Sequence, residues 1–288
     1  MSLMAITWDF NPVLFKIGSF EIAYYGLMWL LAFLIGERIF GRIVKREGLN
    51  ENLTSSALFY MLIATMLGAR FGHCLFYDFS YYILDPFQST FPYVKVLDFR
   101  AGGLASHGAA LGLVVGIFLW SRKWKMPSMW MFDRIGIVVA IGGACIRLGN
   151  LFNSEIYGTA TDMPWGFIFV RRGETMAMHP TQIYEALMYL VTFAVLMHIY
   201  YRTKLSDKRG VMFGVFLIML FGARLVIESI KNVQEAWELD MVASCGLNMG
   251  QVLSLPFILF GVGVLIYAFR RKANPYTNMP LAKGGKKK

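Results

Sequence analysis

The chain has 288 residues, 57% of them hydrophobic, and a formal net charge of +10. A mean hydropathy of +0.51 makes it too apolar for a soluble domain of this size. Lys and Arg gather in alternate loops between apolar stretches rather than on one surface, which argues against nucleic acid as a partner.

The first twenty residues lack a basic leader and a continuous apolar core, and they contain Asp9 and Pro12, so they do not read as a cleavable signal. Trp8, Phe10, Phe15 and Phe20 point instead to a segment lying at the membrane–water interface, where aromatic rings concentrate.

Crossing a bilayer takes about 20 mostly apolar residues. Seven stretches qualify, near residues 24–43, 55–76, 104–121, 132–153, 181–201, 211–229 and 250–269. They predict an all-α membrane protein of seven transmembrane helices, a single polytopic domain over residues 1–272. Basic clusters follow the odd spans: Arg38, Arg42, Lys45 and Arg46; Arg122, Lys123 and Lys125; Arg202, Lys204, Lys208 and Arg209; Arg270, Arg271 and Lys272. This alternation places the N-terminus outside and the C-terminus inside. Residues 273–288 form a basic cytoplasmic tail suited to anionic lipid surfaces.

Two outward connections, residues 77–103 and 154–180, are longer than ordinary structureless loops. Within the second, Met163–Val170 has strand-like composition bounded by Pro and Gly, which predicts a small outward-facing cap between spans four and five. His179-Pro180 is expected to open span five, because Pro suits the first helical position. Gly108, Gly112 and Gly116 recur every four residues and predict close helix packing. Cys74, Cys145 and Cys245 have no paired spacing and read as buried packing residues. The four His are dispersed and no metal-binding spacing occurs, so no metal and no organic cofactor is expected.

The polar residues inside this apolar chain carry the functional information. Span four ends in Arg147-Leu-Gly-Asn150-Leu-Phe-Asn153-Ser-Glu155-Ile-Tyr-Gly158. Arg at membrane depth costs roughly 2.5–3.5 kcal/mol on insertion scales, so it marks a functional candidate. If the helix continues, Arg147, Asn150 and Asn153 share one face and offer donors to an anionic lipid headgroup. Tyr25 opens span one, where an aromatic-belt role is the simpler alternative. Arg70 ends span two, where snorkelling is the alternative. His107 opens span three as either a helix cap or a group that titrates near pKa ~6.5. Arg224 and Glu228, four apart on span six, form either a self-contained pair or part of a site. Glu185 begins span five, where a first-turn carboxylate suits the helix dipole. With the positive-inside topology imposed, Tyr25, Arg70, His107, Arg147, Asn150, Glu155, Glu185, Arg224 and Glu228 all fall toward the outer ends of six spans. A shared polar cavity open to the outer leaflet explains them together.

The run from Arg147 to Gly158 closely resembles the signature of the prolipoprotein diacylglyceryl transferase family. Tyr25-Gly-Leu-Met28, Gly68-Ala-Arg70, Gly102-Gly103 with His107-Gly108, His179-Pro-Thr-Gln-Ile-Tyr-Glu185, and Arg224 with Glu228 match the family in order and spacing. The resemblance covers residues 20–270 or so. It implies a bacterial inner-membrane enzyme with its active site on the periplasmic side. That enzyme moves the diacylglyceryl group of phosphatidylglycerol onto the lipobox cysteine of a prolipoprotein signal peptide, forming a thioether and releasing glycerol phosphate. It marks Arg147 and Arg224 as essential, Arg147 as a phospholipid contact, His107 as a proposed base, and Tyr25, Asn150 and Gly158 as important. On this reading His107, Arg147 and Arg224 are catalytic. Arg147, Asn150, Tyr25, Arg70, Glu155, Gly158 and Glu228 bind phosphatidylglycerol. The chain departs from the family pattern at Ile146, at Ala105-Ser106 and at Lys231, where an Arg often follows the Glu. A secondary transporter or a non-catalytic binder of an anionic lipid or solute would also need membrane arginines. A transporter should show related halves, and none is visible.

Overall fold

The computed structural model describes residues 5–18, 20–98, 103–232, 241–244 and 246–271. Cys245 and the tail 273–288 lie outside the described residues.

Among the described residues, seven long helices appear where the apolar stretches predict them: α1 (Tyr24–Arg46), α2 (Asn52–Phe76), α3 (Ser106–Trp124), α4 (Ser128–Phe152), α5 (Thr181–Arg202), α6 (Val211–Ile227) and α7 (Met249–Arg270). Five of these, α2 and α4–α7, are long and apolar enough to cross a membrane by length and composition. The other two carry more polar residues: Glu37 and Arg38 dilute α1, and α3 begins at Ser106-His107 and ends at Arg122-Lys123. On α7, Leu253, Leu255, Phe257, Leu259, Phe260, Ile266, Tyr267 and Phe269 are all exposed, a surface that suits lipid rather than water.

The chain divides into two compact units, one from residues 1–40 and 132–276, the other built on residues 41–131. The boundaries fall within α1 and within α4.

In the second unit α2 lies flush against α3. A Cβ on Gly112 would fall on the backbone carbonyl of Ala64, and one on Gly68 would lie 2.7 Å from Gly112 Cα. The recurring glycines therefore do what their spacing predicts and let two backbones touch. The connection after α2 holds a π-helical turn (Ser80–Leu84), a 3-10 turn (Lys95–Leu97) and a Phe87–Val94 bridge. Trp120 stacks on Trp130, whose indole donates to Glu47 (2.7 Å), at the basic ends of these helices.

In the first unit the N-terminal segment is a set of strands. β1 (Ile6–Trp8) pairs in parallel with β4 (Phe167–Phe169), and β2 (Val13–Ile17) with β3 (Phe20–Ala23) as an antiparallel hairpin. The predicted strand between α4 and α5 thus exists, and its partner strand comes from the start of the chain. Trp8 and Tyr157 pack on the buried cluster Leu151, Phe167, Phe169 and Met178, and the Trp8 indole donates to the Leu151 carbonyl (3.1 Å). The helix of span five starts at Thr181, with Pro180 one position outside it as the residue whose carbonyl accepts the first helical bonds. Cys74 is buried as expected, whereas Cys145 is half-buried.

One buried pair escaped the sequence reading. Asp133 on α4 accepts backbone N–H bonds from Gly210 (2.8 Å) and Phe213 (2.9 Å), satisfying donors at the start of α6. Arg134 approaches Asp133 (3.8 Å) and donates to the Ser206 carbonyl (3.5 Å).

Candidate active site

Three segments of the first unit meet at one place: the end of α4, the start of α5 and the end of α6. Helix α4 runs to Phe152, so Arg147 and Asn150 sit one turn apart on it, and Asn153 lies just past it. The chain then turns sharply. Ser154 (φ +52°) and Ile156 (φ +60°) adopt the left-handed region, which is uncommon outside glycine, and for β-branched Ile a sign of imposed strain. Three contacts impose it. Gln182 Nε2 donates to the Glu155 carbonyl (2.7 Å), Thr181 Oγ1 to that of Ile156 (3.0 Å), and Arg172 Nε to that of Ser154 (2.8 Å).

Gly158 is held between two other segments. Its N–H donates to His179 O (2.8 Å), the Thr159 N–H donates to Ile230 O (2.9 Å), and Gly158 bridges Lys231. A Cβ there would fall on the Ile230 carbonyl and lie 2.8 Å from both His179 and Thr181 side chains. Glycine is needed here for close packing of the segment after α6 against the loop after α4.

A continuous series of ion pairs crosses this junction. Arg147 Nε lies 2.9 Å from Glu185 Oε2, and the other carboxylate oxygen of Glu185 receives Lys231 Nζ at 3.4 Å. The same ammonium reaches Glu228 Oε2 (3.4 Å), which in turn faces Arg224 Nε (3.6 Å). Three cations and two carboxylates leave one surplus positive charge. Glu185 is only 1% exposed and Lys231 6%, whereas the Arg147 and Arg224 side chains keep partial exposure. The Arg147–Glu185 approach is close but poorly directed: Glu185 Oε2 and Arg224 Nε are buried without an aligned hydrogen bond among the described residues. Glu228 fits because Gly250 at the start of α7 has no side chain; a Cβ there would strike its carboxylate. The Glu228 carbonyl accepts from Asn248 Nδ2 (2.8 Å), within the capping box that starts α7.

A second network orients Arg147. Its Nη1 donates to Asn150 Oδ1 (3.3 Å), and Glu155 Oε1 accepts from Asn150 Nδ2 (2.7 Å) and Asn153 Nδ2 (3.4 Å). An acidic acceptor on one side and a guanidinium on the other fix which way the Asn150 amide points. Tyr25, at the start of α1, lies against Gly149, where a Cβ would come within 2.8 Å of its ring.

Arg70 and His107 belong to the other unit. Arg70 is 1% exposed and donates through Nε to Val96 O (2.8 Å), through Nη2 to Lys95 O (2.9 Å) and through Nη1 to Gly103 O (3.3 Å). Its guanidinium also faces the Tyr82 ring at 4.7 Å, so it ties down the long connection after α2. His107 is exposed in the first turn of α3.

The sequence places Glu185 among the residues of the shared polar cavity, with a helix-dipole role as the alternative. It lies beyond the first turn of α5, and its carboxylate is the shared partner of Arg147 and Lys231. Lys231 itself was noted only as a departure from a pattern. The available signal for both was that an apolar helix spends free energy to bury a charge only when that charge has a partner.

Beside the junction, Tyr157 Oη donates to Glu174 Oε1 (2.5 Å). Burial, then this bond and the carboxylate's charge, push the phenol up to about 12 against a smaller opposing effect of Arg172. Unfolded tyrosine ionises near pH ~10. The stabilisation is therefore complete below about pH 10 and is lost as the pH rises toward the folded value. Absorbance at 295 nm should show a tyrosine titrating near pH 12 in the wild type that is missing in Tyr157→Phe.

A family model described as prolipoprotein diacylglyceryl transferase matches residues 12–267. A protein of Porphyromonas gingivalis named phosphatidylglycerol–prolipoprotein diacylglyceryl transferase is 43% identical over 283 residues, covering 94% of this chain and 96% of its own. Proteins of the same name from Tolumonas auensis (37% identical, 92% and 98% covered) and Bacteroides fragilis (36% identical, 94% and 98% covered) are also similar. A family model spanning most of the chain, and relatives this similar over almost their full lengths, show that the chain belongs to the prolipoprotein diacylglyceryl transferase family.

Proposed function

We propose that the chain transfers the diacylglyceryl group of phosphatidylglycerol to the lipobox cysteine of a prolipoprotein, with Arg147 and Arg224 receiving the departing glycerol phosphate. Family membership makes it a transferase, and the relatives' names supply both substrates. The observation that carries the residue assignment is the unbroken series of ion pairs from Arg147 to Arg224.

In the transfer, the cysteine sulfur attacks the glycerol carbon that bears the phosphate ester. A C–S bond forms, the C–O bond breaks, and the electron pair leaves on the phosphate oxygen of glycerol phosphate. Negative charge therefore grows on the phosphate in a poorly hydrated place. A guanidinium offers it two parallel hydrogen bonds and keeps its charge when buried. Poorly directed ion pairs are what a site needs if its cations are to turn from carboxylate to phosphate when substrate arrives.

The remaining residues divide by what they touch. Asn150 and Glu155 aim Arg147, and Glu228 aims Arg224. Tyr25 walls the end of α4 beside them, and Gly158 lets the loop close. Arg70 holds the outer connection that flanks the start of α3. A thiol near pKa ~8.5 is mostly protonated at neutral pH, and His107 is the base that takes its proton.

All seven helices are spans of one membrane domain in the inner membrane, N-terminus outside and C-terminus inside, with the site and the cap on the periplasmic side. Supporting this, the ion pairs sit at the end of α4, the start of α5 and the end of α6, while the basic clusters occupy the opposite helix ends. The signal peptide and the lipid then enter sideways between helices. A transporter or a passive lipid binder would share the arginines but is not what the relatives are named for.

The test combines purified protein, phosphatidylglycerol and a lipobox peptide, and follows the peptide's mass and the release of glycerol phosphate. The expected result is a diacylglyceryl thioether on the cysteine; a wild type that yields none with both substrates present overturns the reading. In the same assay His107→Gln should lose about 10²–10⁴-fold. Retained activity would show that the thiol needs no dedicated base.

A further inference from the structure

The structure assigns to Lys231 a role in positioning: its ammonium bridges Glu185 and Glu228 and thereby holds Arg147 and Arg224 in register for the phosphate. The inference rests on the phosphate-binding reading of the two arginines.

Four observations converge on this side chain. The ammonium lies 3.4 Å from a carboxylate oxygen of each glutamate, and each of those glutamates is the ion-pair partner of a different arginine. Without it, Glu185 and Glu228 would face each other as two like charges. They would repel, and each would draw its arginine apart from the other. Lys231 is itself among the most buried cations of the chain, at 6% exposure, so solvent does little to screen this effect. Its backbone bridges Gly158 in the loop that follows Arg147, and its N–H donates to Glu228 O (3.3 Å). Side chain and backbone thus join the same two halves of the site. A misplacement of about 1 Å in a reacting group costs on the order of 10² in rate, so holding the arginines in register is worth that much.

Lys231 also supplies the cluster's surplus charge, because each arginine already has its own carboxylate. Charge and bridging are separable by substitution. Lys231→Met removes both. Lys231→Arg keeps both. Lys231→Met combined with Glu185→Gln restores the net charge of the cluster but not the bridge.

The four proteins are purified whole in detergent, and transfer from phosphatidylglycerol to a lipobox peptide is measured with thermal unfolding. The expected result is a loss in kcat of about 10² for Lys231→Met, with a much smaller change in KM for phosphatidylglycerol. Lys231→Arg should return within a few-fold of wild type, the double variant should stay low, and all four should remain folded at the assay temperature. Near-normal kcat in Lys231→Met overturns the assignment. So does recovery in the double variant, which would make net charge the whole effect, and so does a folded Lys231→Arg as poor as Lys231→Met. If Lys231→Met does not fold, Lys231→Gln replaces it with the same expected loss. Failure of both neutral variants to fold makes Lys231 a residue of the fold and ends the proposal. A wild type without transfer would overturn the underlying reading and this one with it, whereas an active wild type with unaffected variants overturns this one alone.

Discussion

Arg147→Ala is expected to lower transfer by about 10²–10³-fold while the protein remains folded. The rate effect follows from removing one preorganised donor aimed at a leaving group that gains charge. The fold should survive because Glu185, the carboxylate left behind, keeps Lys231 at 3.4 Å as its counterion. Arg147→Lys should recover little of the loss. An ammonium keeps the charge but lacks the planar fork, so it cannot hold Asn150 Oδ1, Glu185 and a phosphate at once. Steady-state kinetics with phosphatidylglycerol as the varied substrate decide the matter. Equal losses in kcat and kcat/KM place the interaction in the transition state, and a change confined to KM would mean that Arg147 only binds lipid. Unchanged transfer by Arg147→Ala would remove it from the mechanism altogether.

Glu185→Leu is expected to be the most damaging single change to stability, by about 3–5 kcal/mol. It leaves Arg147 and Lys231 beside each other with Glu228 as the one remaining carboxylate of the series. Burying an uncompensated charge costs more than a salt bridge is worth, so the loss should exceed anything expected from breaking an exposed pair such as Lys16–Glu21. Glu185→Gln should be milder, since its amide oxygen still accepts from Lys231. Combining Glu185→Leu with Lys231→Met should recover part of the stability, because the cation stranded by the first change is then gone. Denaturant or thermal unfolding in detergent reads all three. A Glu185→Leu protein as stable as wild type would show that water reaches the ion pairs freely.

The site is partly legible in the sequence. Arg147, Asn150, Glu155 and Gly158 stand in one short run, and their mutual contacts are local: Arg147 reaches Asn150 three residues on, and Asn150 reaches Glu155 five residues on. Arg224 and Glu228 were readable for the same reason. The partners of Glu185 were not. Its tie to Lys231 spans 46 residues and joins two helix ends whose facing depends on how α5 and α6 pack. Arg70 shows the same limit. The resemblance implied a phosphatidylglycerol contact for it, whereas its bonds to the carbonyls of residues 95, 96 and 103 are set by the path of the connection after α2. Strand β4 was visible as an apolar run, but nothing local tied it to Ile6–Trp8, because a parallel pairing carries no turn signal between its strands.

Composition and run length alone placed the seven long helices found among the described residues, with ends near those observed, and five of them are long and apolar enough to cross a bilayer, as a helix that satisfies its backbone within itself can. They also determined that charges so costly in such helices must serve a purpose. Only the tertiary structure decided which carboxylate neutralises which guanidinium, and that Lys231 stands between them. Ion pairing acts over a few ångströms through space, and distance along the chain places no constraint on it.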